Sequence, residues 1–137
     1  MDGSRSKPWA LAALVAGVAY FVIGKVFALP SDNLRAWRLA AWAVSAVVYA
    51  VHIAYEHFRL RSSPLLASLH VALAAALGGF LLAVAGLLHS LELEPTIKPL
   101  WWLALVAWPL LTGVPAFLVA LVGLTVFVRM TRRTAAG

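Results

Sequence analysis

The chain has 137 residues, of which 64% are hydrophobic and 12% are charged, and its mean hydropathy is +0.93. Soluble domains are typically about half apolar and about a quarter charged, so this composition excludes an ordinary soluble core and indicates a membrane protein. The absence of cysteine excludes disulfides and thiolate metal sites. The net charge of +6 does not indicate nucleic-acid binding, because the basic residues lie at the ends of apolar runs, as in membrane-spanning segments.

Four apolar runs are long enough to cross a membrane, since a span needs about 20 residues. We expect spans at residues 8–29, 34–60, 65–91 and 100–130, within one domain that covers residues 1–137. The connections are short, so consecutive helices should be antiparallel neighbours. The sequence therefore predicts an all-α polytopic membrane protein built as an antiparallel four-helix bundle.

The first run is expected to be a retained span and not a signal peptide. It has basic flanks, but it is long and has no convincing small-residue cleavage site before Pro30. Tyr20 lies midway along it and would bring a hydroxyl to membrane depth.

The second run carries a polar stripe whose members are spaced alternately three and four residues apart, which places them on one helix face. Its members are Arg35, Arg38, Trp42, Ser45, Tyr49, His52, Glu56 and Arg59. The arginines at the two ends are explained as interface anchors. The middle, from Ser45 to Glu56, cannot face lipid cheaply and is expected to face the protein or a wet cavity.

The third run supplies a partner for this stripe. A tight turn at residues 62–64 joins the second and third runs, so His52 and His70 should lie at similar depth, with Glu56 one turn from His52. Such a group could relay protons, bind haem through both histidines, or bind zinc or a similar ion. The alternative is plain interhelical hydrogen bonding.

Small residues are frequent in the third run, and Ala75, Gly79 and Ala83 form a ridge at four-residue spacing. Such ridges let helix backbones approach closely. The small residues would also leave space for a haem, but we favour the packing interpretation.

The fourth run contains Pro109 and Pro115 on either side of Thr112. Each proline removes a backbone donor and disturbs the preceding turn. The pair indicates either a simple kink or an interrupted helix that binds a ligand. Trp108 and Thr112 share a helix face and are expected to line one cavity with Tyr49 and Ser45.

The distribution of Lys and Arg predicts that both termini are cytoplasmic, in what we expect to be a bacterial cytoplasmic membrane. The side that holds the termini carries Arg5, Lys7, Arg59, Arg61, Arg129, Arg132 and Arg133. The opposite side carries Lys25, Arg35, Arg38 and Lys98.

The leading functional hypothesis is transport or permeation of a small solute or a proton. The sequence leaves enzymatic activity open and favours its absence. No phosphate-binding loop is present, which argues against nucleotide-driven transport. One four-span chain encloses little space, so we expect a homo-oligomer or a larger membrane complex. The expected pathway comprises His52, Glu56, His70, Tyr49, Ser45, Trp108 and Thr112. The alternatives are a redox subunit that binds haem through His52 and His70 or binds a quinone, and a non-catalytic accessory or scaffold protein.

Overall fold

The computed structural model describes residues 8–93, 96 and 99–134, and it contains four long helices. They are α1 (Pro8–Val26), α2 (Leu34–Ala54), α3 (Pro64–Leu93) and α4 (Pro99–Thr134). A π-helical turn, Tyr55–Arg59, continues α2, and the described residues contain no strand. All four helices are long and apolar enough to cross a membrane, which confirms the predicted all-α bundle of four spans.

The helix ends have local causes in the sequence. Pro64 and Pro99 begin α3 and α4, at the position where a missing backbone N–H costs nothing. Asn33 precedes α2 in the left-handed conformation, with φ of 54°, which asparagine tolerates better than most residues. Three basic residues that carried the orientation argument lie outside the described residues: Arg5, Lys7 and Lys98.

Helix α3 lies at the centre of the bundle, because it packs along α1 on one side and along α4 on the other. α1 runs parallel to α3, with Trp9 against His70 near one end and Gly24 against Leu82 further along. α4 runs antiparallel to α3, with Gly86 close to Trp101. α2 packs mainly on α1 and contacts α3 sparsely.

Two adjacent glycines let α3 approach both neighbours. A Cβ added to Gly78 would lie 2.6 Å from Cβ of Tyr20 in α1, and one added to Gly79 would lie 2.5 Å from the Thr112 hydroxyl in α4. Ala83, the third member of the predicted ridge, is also buried. Small side chains thus bring the backbones of three helices together, as close packing in a membrane requires.

Helix α4 is continuous from Pro99 to Thr134, with Pro109 and Pro115 inside it. The hydroxyl of Thr112 lies 2.9 Å from the carbonyl oxygen of Trp108 and 3.0 Å from that of Ala75 in α3. These bonds join α4 to α3 between the two prolines, and α4 runs through both prolines as one helix.

Candidate functional site

The π-helical turn positions the candidate site at the end of the bundle where α1 and α3 begin. The N–H of Leu60 donates to the carbonyl of Tyr55 (3.1 Å), and the N–H of Ser62 donates to the carbonyl of Glu56 (3.1 Å). Arg61 between them is left-handed, with φ of 52°. This wide turn folds the chain back so that Ser62 lies beside Glu56. π-Helical turns are frequent at functional sites.

The carboxylate of Glu56 is completely buried between two histidines. Its Oε2 accepts a hydrogen bond from the Ser62 hydroxyl (2.7 Å) and lies 3.0 Å from Nδ1 of His70. Its Oε1 lies 3.8 Å from Nε2 of His52. The residues predicted to meet do so, and we call His52, Glu56 and His70 the His–Glu–His cluster.

The two halves of the cluster differ in how well they are bonded. His70 is held by the carboxylate, whereas both ring nitrogens of His52 and Oε1 of Glu56 are buried with no hydrogen-bond partner among the described residues. Only 4% of His52 is exposed. Most buried polar atoms in proteins are hydrogen-bonded, so the lack of a direct protein partner distinguishes His52 from His70.

Two residues of the site were not predicted from the sequence. Trp9, near the start of α1, stacks its ring on His70, with the ring centroids 4.3 Å apart and the planes within 7°. Ser62 was expected only to form the turn, yet its hydroxyl binds Glu56. A hydroxyl six residues from a buried carboxylate is a usable local signal for Ser62. No local signal links Trp9 to His70, because they lie on different helices.

The charge of the cluster depends on histidine. Both ion-pair contacts of Glu56 within the described residues are with imidazoles. Arginine stays protonated at any ordinary pH, and lysine usually does, whereas imidazole gains and loses a proton near neutrality. A buried carboxylate needs a compensating charge or a proton of its own. Among the described residues the Glu56 carboxylate therefore has no permanently charged cation beside it, only imidazoles that can carry or release a proton.

The geometry does not suit haem or a multidentate metal site. No group of three or more His, Asp or Glu residues in the described part of the chain is arranged to hold a metal ion. A haem bound by two histidines needs the iron between them. Here the Glu56 carboxylate lies between the imidazoles of His52 and His70, so the pair does not fit that cofactor.

A cleft of about 580 Å³ lies between α2 and the other three helices. Its polar lining consists mainly of the side chains of Tyr20, Ser45, Tyr49 and Thr112. The Tyr49 hydroxyl donates to the carbonyl of Ala116 (2.6 Å) and so joins α2 to α4. Tyr49 lies three residues before His52, so the cleft reaches to within one helical turn of the His–Glu–His cluster.

The other expected pathway residues and stripe members have clear positions. Ser45, Tyr49 and Thr112 line the cleft, whereas Trp108 is half exposed and does not line it. The stripe becomes steadily more buried along α2, from the exposed Arg35 to the fully buried Glu56. The polar stripe thus reaches the interior only near the turn.

The two remaining histidines lie apart from the cluster. His89 is exposed, with its Nδ1 3.4 Å from Glu92 near the opposite end of α3. His57 packs edge-on against Phe58 and Phe127, which brings the end of α4 to the turn after α2.

Comparison of the chain with protein-family models, with curated proteins and with solved structures found no match.

Proposed function

We propose that this integral membrane protein transports a small solute together with a proton, and that the His–Glu–His cluster takes up and releases the proton. The observation that carries the proposal is the fully buried Glu56, whose two ion-pair contacts are both with histidines. Ionisable side chains at membrane depth are expensive, and they commonly mark proton relays and substrate paths.

The unequal bonding of the two histidines supports a division of roles. His70 is fixed by Glu56 and by the stacked ring of Trp9, so it holds the carboxylate in position. His52 has no hydrogen-bond partner among the described residues, and it lies one turn from the cleft. In this proposal His52 passes the proton between the cleft and Glu56.

The cleft supplies the solute path. It adjoins the cluster through Tyr49, and it is bounded on one side by α2, which contacts α3 only sparsely. A ligand in the cleft would change the surroundings of His52, and therefore its proton affinity, without touching Glu56. That coupling is the physical basis for moving a solute and a proton together.

We further propose that both termini lie in the cytoplasm and that the working unit is a homodimer. The turn after α2 and the end of α4 lie together, which gathers Arg59, Arg61 and the arginines of the C-terminal turn of α4 on one side. Basic residues favour the cytoplasmic side. A second copy would widen the narrow space that one chain encloses.

Proton flux in reconstituted vesicles tests the proposal. Vesicles with a pH-sensitive dye inside are given an inward-driving potential, and wild type is compared with Glu56→Gln. We expect wild type to acidify the lumen even without added solute, because the proposed proton path through the cluster stays partly open when the cleft is empty. Glu56→Gln should reduce the rate at least tenfold, because the amide cannot take up the proton. The matched control is Glu92→Gln, which changes an exposed glutamate near the opposite end of α3 and should leave the rate unchanged.

Two results would contradict the proposal. One is wild-type flux no greater than that of protein-free vesicles. The other is an unchanged rate in Glu56→Gln, with circular dichroism showing that the variant retains its helix content.

A further inference from the structure

We infer that the cleft binds an uncharged, mostly apolar molecule that presents a carbonyl oxygen to the hydroxyl of Tyr20. The inference rests on the proposed function to the extent that it treats the cleft as the solute path. It adds the chemical class of the solute and the residue that recognises it.

The lining of the cleft excludes a charged ligand. None of its residues is Asp, Glu, Lys, Arg or His, so an ion would enter without a counter-charge. Moving an unpaired ion from water into such surroundings is prohibitively unfavourable. The His–Glu–His cluster lies beyond Tyr49 and does not line the cleft.

The volume and walls of the cleft suit a small organic molecule. About 580 Å³ lies within the range of roughly 300 to 1,000 Å³ that is usual for small-molecule pockets. The walls are chiefly aliphatic, with Ile23, Leu82 and Val119 on three different helices. Most of the bound molecule must therefore be hydrocarbon or ring carbon.

Two hydroxyls of the lining have no hydrogen bond among the described residues, those of Tyr20 and Ser45, and only that of Tyr20 is buried. The hydroxyls of Tyr49 and Thr112 are already bonded to the backbone carbonyls of Ala116 and Ala75. The hydroxyl of Tyr20 is buried with no hydrogen-bond partner among the described residues. The ring of Tyr20 lines the cleft while its hydroxyl is covered, so a ligand reaches the hydroxyl when the Tyr20 side chain or its neighbours shift. The bond that forms then removes the penalty of an unpaired buried hydroxyl. A carbonyl oxygen is an uncharged acceptor of the required kind.

The cleft is open on the side of α2. Trp42 and Ala46 line it and are themselves exposed, so it is not closed off from the surroundings of the bundle. A carbonyl compound could reach it from either of two sources. One is the bilayer, which holds lipid-soluble quinones, and the other is the aqueous phase, which holds small neutral ketones.

The test is a binding measurement on full-length protein in lipid nanodiscs, with a benzoquinone bearing a decyl chain as the probe. Quinones quench tryptophan fluorescence on contact, and Trp42 in the cleft should report binding. We expect saturable quenching in wild type, which Trp42→Phe reduces. Decylbenzene, which has the chain but no carbonyl, should not compete with the probe.

Tyr20→Phe is the decisive variant, because it removes only the hydroxyl. We expect its dissociation constant for the probe to rise about three- to tenfold, as the loss of one hydrogen bond predicts. The control is Tyr55→Phe, the same chemical change at an exposed tyrosine outside the cleft, which should bind like wild type. Ser45→Phe fills the cleft and should abolish the saturable signal even if Tyr20→Phe proves unstable.

The outcomes separate the sources and the two proposals. If cyclohexanone displaces the quinone probe, the site is assigned to small aqueous ketones. If the quinone binds and cyclohexanone does not displace it, the site is assigned to lipid-soluble quinones. Equal affinity in Tyr20→Phe and wild type, or saturable binding that survives Ser45→Phe, overturns the inference. Probe binding and proton flux are measured separately. If the protein conducts protons but does not bind the probe, only this inference is refuted. If it binds the probe but conducts no protons, only the transport proposal is refuted.

Discussion

Helices α3 and α2 differ in the side chains that they present to their neighbours and in how closely they pack. α3 has glycine and alanine on its contact faces, lies between α1 and α4, and approaches both at backbone distance. α2 has larger and more polar side chains, packs mainly on α1, and contacts α3 sparsely. Apolar surface gives no driving force between helices in lipid, so association depends on close packing and polar contacts. The glycines of α3 bring three helices to backbone distance, whereas α2 contains no glycine, stays further from α3 and leaves the cleft.

The attachment of α2 to the bundle is correspondingly different. Besides its packing on α1, it is joined by the Tyr49 hydrogen bond to α4 and by the contacts of Glu56 with Ser62 and His70. Each of these polar contacts also borders the cleft or belongs to the His–Glu–His cluster. The side of the molecule that carries the candidate function is therefore the side that depends on a few individual bonds.

The largest effect should come from a glycine on α3. Gly79→Leu would place side-chain atoms against the Thr112 hydroxyl and the Trp108 carbonyl, which is backbone and cannot move aside. We expect a loss of about 3 kcal/mol in the free energy of unfolding, at the upper end for an overpacked core. Unfolding in mixed micelles with increasing SDS, followed by circular dichroism, measures it.

Gly123→Leu is the matched control, because nothing lies within 4 Å of a Cβ added there. It should unfold at the same SDS fraction as wild type or slightly higher. Equal stability of the two leucine variants would refute the scaffold role of α3.

A smaller effect is expected at the end of α2. Glu56→Ala removes the acceptor of Ser62 and His70 and leaves both without their carboxylate partner. We expect a loss of about 2 kcal/mol, as for a buried polar group deprived of its bonds.

The same SDS titration measures Glu56→Ala, with Glu92→Ala as the control on an exposed glutamate. If Glu56→Ala is as stable as wild type or more stable, the cluster adds no net stability to the fold. The view that polar bonds hold α2 while close packing holds α3 would then be weakened.

The smallest effect should follow from Tyr49→Phe, which deletes the hydrogen bond between α2 and α4 and keeps the ring. Hydrogen bonds between membrane helices average about 0.6 kcal/mol, so we expect a loss of that size. Spin labels at Val47 and Val122, both exposed on their helices, would report whether α2 moves away from α4. A loss as large as that of Gly79→Leu would show that α2 is held as firmly as α3.

Much of the architecture could be predicted because it follows from the chain itself. The length of each apolar run predicts the four spans, and the prolines at 64 and 99 begin helices for a reason visible in the sequence. The meeting of Glu56 with His52 and His70 was also predictable. His52 is one turn away on the same face, and the short turn at residues 62–64 limits where His70 can lie.

Other parts of the site depended on contacts between distant segments. The α-helical periodicity of α2 was expected to continue to residue 60, but five residues adopt π geometry, because the turn makes its hydrogen bonds with Tyr55 and Glu56. The position of Trp108 outside the cleft followed from the rotation of α4 against α3, which Gly79 and Thr112 determine. Helix rotation is a property of the packed pair and not of either sequence alone.

Composition and periodicity were sufficient to establish that this is a four-helix membrane protein with a polar stripe on its second span, because hydrocarbon imposes the same length and polarity on any spanning helix. Folding alone established which part of the stripe is buried, that Trp9 stacks on His70, and that a cleft ends beside His52. These features arise where side chains from three or four helices meet, and how closely those helices approach depends on individual glycines facing particular neighbours.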